Sequence, residues 1–455
     1  MNIGPLLVQT IHHFWPDCNA WLDQIPDPRP AASITYASRF LLWWGLSLFL
    51  FKLSSRRQLD FELDAAGTQV LHNLNRLAGT QQSSRPVNKT LDDFLGQVGS
   101  QPIADFRTQL VRRLLRQKVF DPARLLGHRL VLLDATGHLC FQHCHCERCL
   151  VRQHGSKTLY LHQVLEAKLL GPEGVVASIG TVFIENTDQG QRLALASAEQ
   201  LKQDCELKAW QRLAPQLKKD FPQLPICIVG DGLYLCGATL ALAKDNNWRF
   251  LVVFKPGRLP AVWDEFQRLL ALCPQQCVEL LLPDGTRQVY RWVNGLSYTD
   301  SEGRFWTFNA IQCEESRPGK TATTWAWATD LPVNRRTVVP LGNDGGRQRW
   351  CIENQGFNMQ KNSDLRLEHA YSHGDEQLKA FYYLLQCAHL MLQLLEKGSL
   401  LRQLAAEVGK TALGLFGSLK NMARRLLESV RYLAWPDAAF SVAAAKGIQI
   451  RLDSS

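Results

Sequence analysis

Asp134 closes the apolar run Leu130-Val131-Leu132-Leu133, and Asp231 closes Ile226-Cys227-Ile228-Val229-Gly230. A short unbroken apolar run ending in an acid reads as a buried strand that delivers a carboxylate at its carboxyl end. In an open α/β sheet, ligands collect outside those ends. Small residues follow both acids, Ala135-Thr136-Gly137 in one case and Gly232 in the other, so the carboxylates stay accessible. Two such groups plus a third acid make the oxygen donor set that a pair of Mg2+ or Mn2+ ions uses together with phosphate oxygens. That donor set points to phosphodiester chemistry. Taken singly, either aspartate also fits a turn or a helix cap.

A second group follows at once, in the string HLCFQHCHCERCL of residues 138–150. Cys146 and Cys149 form a CxxC, and Cys144 with His162 (or His143 or His154) completes four N/S ligands for a structural zinc. No second CxxC at structural-zinc spacing accompanies it, and free buried thiols in a strand connection account for the same residues. A nucleophilic thiol is not indicated, because no cysteine–histidine pair has a catalytic context.

The elements that must position these groups alternate in period. Residues 129–134, 158–170 and 174–186 read as strands, 204–220 as a helix, 226–231 as a strand, 237–248 as a helix and 250–255 as a strand. The first three strands suit a meander, and the helical crossovers then add parallel strands. Residues 277–340 break into short strands (VELLLPDG, TRQVYRWV, RFWTFNAI, TTWAWATDL, RTVVPL) between Gly, Pro and Asp turns, a β-rich insertion. Beyond it come Arg349-Trp350-Cys351-Ile352-Glu353, a helix over 375–396 and a basic helical tail. Upstream, Thr90 is placed as the N-cap of a helical pattern running to Leu115, which carries Arg107, Arg112, Arg113 and Arg116, with Lys118 just beyond. A solvated basic face and a phosphate-contacting face both fit that pattern.

The stretch Arg349-Trp350-Cys351-Ile352-Glu353-Asn354-Gln355-Gly356-Phe357-Asn358, with Lys361-Asn362 and Leu367-Glu368-His369 after it, resembles the C-terminal catalytic segment of bacterial insertion-sequence DDE transposases. The branch concerned has a ribonuclease-H-like core interrupted by a β-rich insertion before the last acid. The resemblance covers residues 126–258 and 325–395 and the position of the insertion. It implies the triad Asp134, Asp231 and Glu353, holding two Mg2+ or Mn2+ ions, with separations of 97 (231 − 134) and 122 (353 − 231) residues. It implies DNA contacts by Arg349, four residues before Glu353, and by Lys361, although the lysine spacing of the branch falls on Gln360. The tyrosine of the branch falls on Gly346. Trp325 and Trp327, with Trp292 and Trp306, are candidates for the insertion's base-stacking aromatics, or else the core of a small β domain. Glu185, Asp204 and Glu206 read as surface or capping acids, and Asp364 and Glu368 as reserves for the third carboxylate.

The expected architecture is therefore α/β: a helical DNA-binding region at 1–125, a mixed-sheet core at 126–258, a β-rich insertion at 259–345, the core's catalytic helix part at 346–396 and a helical region at 397–455. The expected activity is cleavage of transposon ends and their joining to target DNA by a homodimer on double-stranded DNA. The alternative is a non-catalytic zinc- and DNA-binding regulator derived from such an enzyme. The chain has 455 residues, a formal charge of +9 and 46% hydrophobic residues, which excludes wholesale disorder and suits a polyanionic partner. Thirteen irregularly spaced cysteines and a start that does not read as a secretory signal point to reduced thiols and a bacterial cytoplasmic, nucleoid-associated setting. The apolar run at 40–51 is too short to span a membrane and reads as a buried helix.

Overall fold

The computed structural model describes residues 2–64, 68–144, 146–186, 204–441 and 449–452. The chain divides into two compact units, one made of Met1–Pro122, Gly171–Ser178 and Gln355–Ser455, the other of Ala123–Leu170 and Ile179–Asn354.

The second unit carries an α/β mixed sheet with flanking helices. Its strands are β1 Arg124–Leu125, β2 His128–Phe141, β3 Leu150–His154, β4 Lys157–Leu170, β5 Val176–Ile184, β6 Ile226–Gly230, β7 Arg249–Val253, β8 Cys277–Leu281, β9 Arg287–Thr299, β10 Phe305–Ser316 and β11 Thr323–Thr329. They lie in the order β3-β4-β2-β6-β7-β11-β10-β9-β8, with β1 beside β2 and β5 beside β4. The parallel centre is β2, β6 and β7. These strands are apolar on both faces, as a sheet covered by crossover helices requires. The helices Glu206–Asp220 and Gly237–Asp245 supply the cover. Leu213 and Leu217 of the first lie so close to Gly180 of β5 that a Cβ there would stand 2.7–2.8 Å from them.

Two expectations change here, the extent of the first core strand and the strand RTVVPL of the insertion. The first core strand does not stop at Asp134. β2 runs on to Phe141 because its outer half pairs antiparallel with β4, from Val131↔Leu169 to Phe141↔Tyr160. The β-rich stretch does not form a sheet of its own: β11 pairs antiparallel with β7, Trp327 opposite Val253, so β8–β11 extend the core sheet. One of its expected strands, RTVVPL, is absent. Asn334 caps the amides of Arg336 and Thr337 with its side chain and accepts from Val338 through its carbonyl, which starts the short helix Val338–Pro340. A π-helical turn, Leu341–Gly345, continues it.

The first unit is helical. Its helix Ser38–Leu50 holds the apolar stretch, and Phe40 through Leu50 are all buried, packed along the helix Asp375–Lys397. No helix among the described residues is long and apolar enough to cross a membrane. The basic segment is two helices rather than one: Asn88–Val98 ends at Gly99, whose φ of +78° turns the chain, and Gln101–Arg116 restarts with a proline in its first turn. Helix start at Asn88 removes Thr90 from the capping position. Arg107 belongs to the core, with 1% exposure, donating to Ser178 Oγ at 3.0 Å and lying over the Tyr383 ring.

Candidate active site

The parallel ladder between β2 and β6 has a constant offset, Arg129↔Ile226 to Leu132↔Val229, that is, 97 residues. Asp134 and Asp231 differ by the same 97 (231 − 134), so extending the ladder by two residues sets one opposite the other. Asp231 lies just past β6 and is still extended (φ −77°, ψ −179°). Residues in register on neighbouring strands point to one face, so both carboxylates share a face where the parallel centre opens. Asp134 is thus at the end of the parallel pairing, although not at the end of its strand. Each aspartate is steadied by backbone amides: Ala135 N donates to Asp134 at 3.0 Å and Leu233 N to Asp231 at 2.8 Å. Arg258 secures the turn after Asp231 by donating to the carbonyls of Leu233 and Leu235.

Glu353 reaches Asp134 through Arg349. The Arg349 guanidinium donates to Glu353 Oε1 at 2.9 Å and stands 3.7 Å from Asp134 Oδ2, with its own side chain 12% exposed. The arginine expected to contact phosphate therefore bridges two of the three acids. Glu353 sits in the π-helical stretch Ile352–Asn358, and one π-turn holds a residue more than an α-turn. The spacing rule for an ideal helix consequently does not carry from Glu353 to Lys361.

Electrostatics tie the group together. The Asp134 carboxyl is raised to about 7, first by burial, then by the negative charge of Glu206, against the pull of Arg349 and with a further push from Glu353. Glu206 is itself raised by burial and by Asp231, while the Tyr234 hydroxyl, donating to it at 2.6 Å, works the other way. Tyr234 is buried and surrounded by Glu206, Asp134 and Asp231, all of which keep its proton on. Asp134 thus feels Glu206 and Glu353, and Glu206 feels Asp231, beside one arginine and one phenol. No family model matches the chain, and no curated protein matches it.

The acids are not drawn to contact. Among the described residues, the only group of three metal-ligand side chains whose donor atoms all lie within 4.8 Å is Cys146, Cys149 and His162. The acidic set is nevertheless chemically suited to hard divalent cations. It offers carboxylate oxygens only, and the mutual repulsion that raises Asp134 is what such a cation would relieve.

The remaining candidates are scattered. Lys361 lies in the helical unit and pairs with Glu368 at 2.7 Å, and Asp364 pairs there with Lys420 at 3.0 Å. Trp327 is 2% exposed, and a Cβ on Gly346 would fall 2.2 Å from its indole nitrogen. Trp327 is thus core rather than a stacking surface, and its indole leaves no room for a side chain at position 346. Trp325 is half-buried beneath the guanidinium of Arg347, and Trp292 is buried. Trp306 is held by Asp300 through its indole N–H, beside Lys244 and Arg304. Cys144 is exposed, its thiol donating to the Cys146 carbonyl.

Sequence reasoning missed three residues. Glu206 looked like a first-turn acid, and only its place on the helix that precedes β6 carried a signal. Tyr234 was hidden in the Gly-Leu-Tyr turn after Asp231. Trp350, 44% exposed with the Arg349 guanidinium 4.8 Å from its ring, is the open aromatic beside the site.

Proposed function

We propose that the chain is a DDE-type DNA transposase with a ribonuclease-H-like core, acting on the ends of its element and joining them to target DNA as a homodimer. The observation that supports this reading is that the β2–β6 ladder and the pair Asp134 and Asp231 share a 97-residue offset, together with the Arg349 link to Glu353. Asp134, Asp231 and Glu353 would hold two Mg2+ or Mn2+ ions, which supply an activated attacking oxygen and stabilise the leaving one. The protein's own residues set the stage for that chemistry. Arg349 holds Asp134 and Glu353 together against their repulsion. Glu206, kept in place by Tyr234, adds negative charge behind the aspartates and so strengthens cation affinity. The exposed face of Trp350 offers a stacking surface next to the acids. The formal charge of +9 favours approach to a polyanion.

The test is strand nicking of DNA carrying the inverted repeats that flank the gene, with Mg2+ or Mn2+. Asp134→Asn is expected to lower nicking by roughly three orders of magnitude while DNA binding persists. Binding with no cleavage by the unmodified protein under either metal overturns the enzyme and leaves the regulator, a reading favoured by the thiol–imidazole cluster alone.

A further inference from the structure

Cys146, Cys149 and His162 meet at distances that need an explanation. The two sulfurs are 3.8 Å apart, and His162 Nε2 lies 3.4 Å from Cys146 Sγ and 3.3 Å from Cys149 Sγ. A disulfide needs sulfurs about 2.05 Å apart, so the pair is not bonded. Tetrahedral zinc, with Zn–S about 2.3 Å and Zn–N about 2.0–2.1 Å, sets S···S at about 3.8 Å and S···N at about 3.6 Å. The observed triangle has that shape and very nearly that size.

We infer that these three side chains, with Cys144 as fourth ligand, form a structural Zn2+ site that is separate from the carboxylate cluster and does not depend on the enzymatic reading. Each donor is delivered by a distinct piece of local structure. Cys149 N–H bonds to the Cys146 carbonyl, closing the tight loop that turns both thiols inward. His162 comes from β4, opposite Leu139, where the β2–β4 register shifts between Gly137 and Leu139. A bulge of that kind re-aims neighbouring side chains. Cys149 and His162 are each 5% exposed, so the thiol and the imidazole face one another out of water. Cys144, whose thiol lies 3.3 Å from the Cys146 carbonyl, is the neighbouring thiol assigned to the open fourth corner.

The surroundings are those of a ligating histidine. Nε2 faces the thiols, and Nδ1 faces Glu185, 4.0 Å from its Oε1. A carboxylate facing the far nitrogen, at 4.0 Å beyond direct hydrogen-bond reach, favours electrostatically the tautomer that leaves Nε2 free to bind metal. Arg148, inside the CxxC, stands 3.6 Å from the other Glu185 oxygen and offsets the negative charge that three thiolates bring to one Zn2+. Asn186, next to Glu185, donates its amide to the Cys149 carbonyl, and its backbone N–H binds the Arg148 carbonyl, so the loop is pinned to the end of β5. Glu185 is therefore the positioning residue of the site rather than a surface acid.

The full-length chain, purified under reducing conditions, is assayed for zinc by mass spectrometry of the elements and titrated with Co2+ after zinc removal. The expected result is about one zinc per chain, and cobalt spectra with thiolate charge-transfer and tetrahedral ligand-field bands. Cys149→Ser and His162→Ala are expected to abolish both, and Asp134→Asn to change neither. Cys144→Ser is expected to weaken the charge-transfer band by about a third, the share of one thiolate in three. Glu185→Gln, which leaves all four ligands, is expected to lower zinc affinity about 10–100-fold, a change that a merely structural role for Glu185 would not produce. Absence of zinc and of tetrahedral cobalt in the unmodified chain overturns the site. So does a Cys146–Cys149 disulfide in the protein as isolated, and an unchanged cobalt spectrum in Cys144→Ser overturns the four-ligand assignment.

Discussion

β2 runs between two polar centres of opposite character. At Asp134 the donors are hard oxygens that repel one another, are spread more widely than metal-binding distance and are restrained by a guanidinium. At its outer end the strand helps seat soft donors that already stand at tetrahedral spacing, held by backbone hydrogen bonds and a carboxylate behind the histidine. The first arrangement costs stability, because a half-buried aspartate beside two other acids resists ionising. The second brings three soft donors together with a carboxylate facing the far side of the histidine, the start of a structural site. A protein can store strain where reaction partners must exchange and remove it where they must not.

The contrast is broken or sharpened most by substitutions of opposite expected sign. In the presence of zinc, Cys149→Ser is expected to lower the melting temperature by roughly 5–10 °C, the scale of losing a metal that folds a loop. Asp134→Asn, at pH 8 in EDTA, is expected to raise stability. The unfolded carboxyl titrates near its ordinary value of 3.8 and the folded one at about 7, so between those values the folded state holds the extra proton. Stability of the unmodified protein therefore falls as pH rises through that window, and the loss stays constant above it. Asparagine removes the loss, with a gain of zero below pH 4 growing to about 4 kcal/mol at most above pH 7. Urea melts at pH 4, 6 and 8 read this out, and a destabilised variant at pH 8 would put the two centres in one class.

The smallest effects should come from the neighbours of Asp134, and in opposite directions. Arg349→Ala removes the cation that favours the ionised Asp134 and should move the acidic limb of the nicking profile to higher pH. Glu206→Gln removes the largest charge acting against ionisation and should move it to lower pH. Each is expected to cost roughly 10–100-fold in rate at neutral pH, the range for groups supporting metal ligands. A shift in the same direction for both would detach Asp134 from the titration that governs cleavage.

The parallel centre was legible because its strands are continuous apolar runs, whereas the register that matches the 97-residue separation of the aspartates comes from the β2–β6 pairing itself. The helices 204–220 and 375–396 were legible from their period, and the structure ends them within a residue or two, at Glu206–Asp220 and Asp375–Lys397. The outer half of β2 and the short β3 were not, because residues 138–154 mix His, Cys, Arg and Gln without alternation and owe their strand form to pairing with β4. The role of Arg349 was hidden for a different reason. An i, i+4 arginine–glutamate pair on paper says nothing about a third partner 215 residues away in sequence (349 − 134), and that contact decides what the arginine does. Trp327 was ambiguous by its nature, since aromatic residues on a strand suit both a core and a ligand face. Gly346 settles it by leaving just the room the indole fills.

The pairing of β11 with β7 makes residues 254–326 a detour with a common point of departure and return. The chain leaves β7 after Val253 and comes back at Trp327, on the neighbouring strand, about 4.8 Å away across one ladder. Whatever happens along the way, the return address is fixed, and the segment leading to Arg349 and Glu353 starts from it. The closure cost of such a detour grows only with the logarithm of its length. Its outer hairpins can therefore lengthen, shrink or acquire new tips while the spacing of the acids stays as it is.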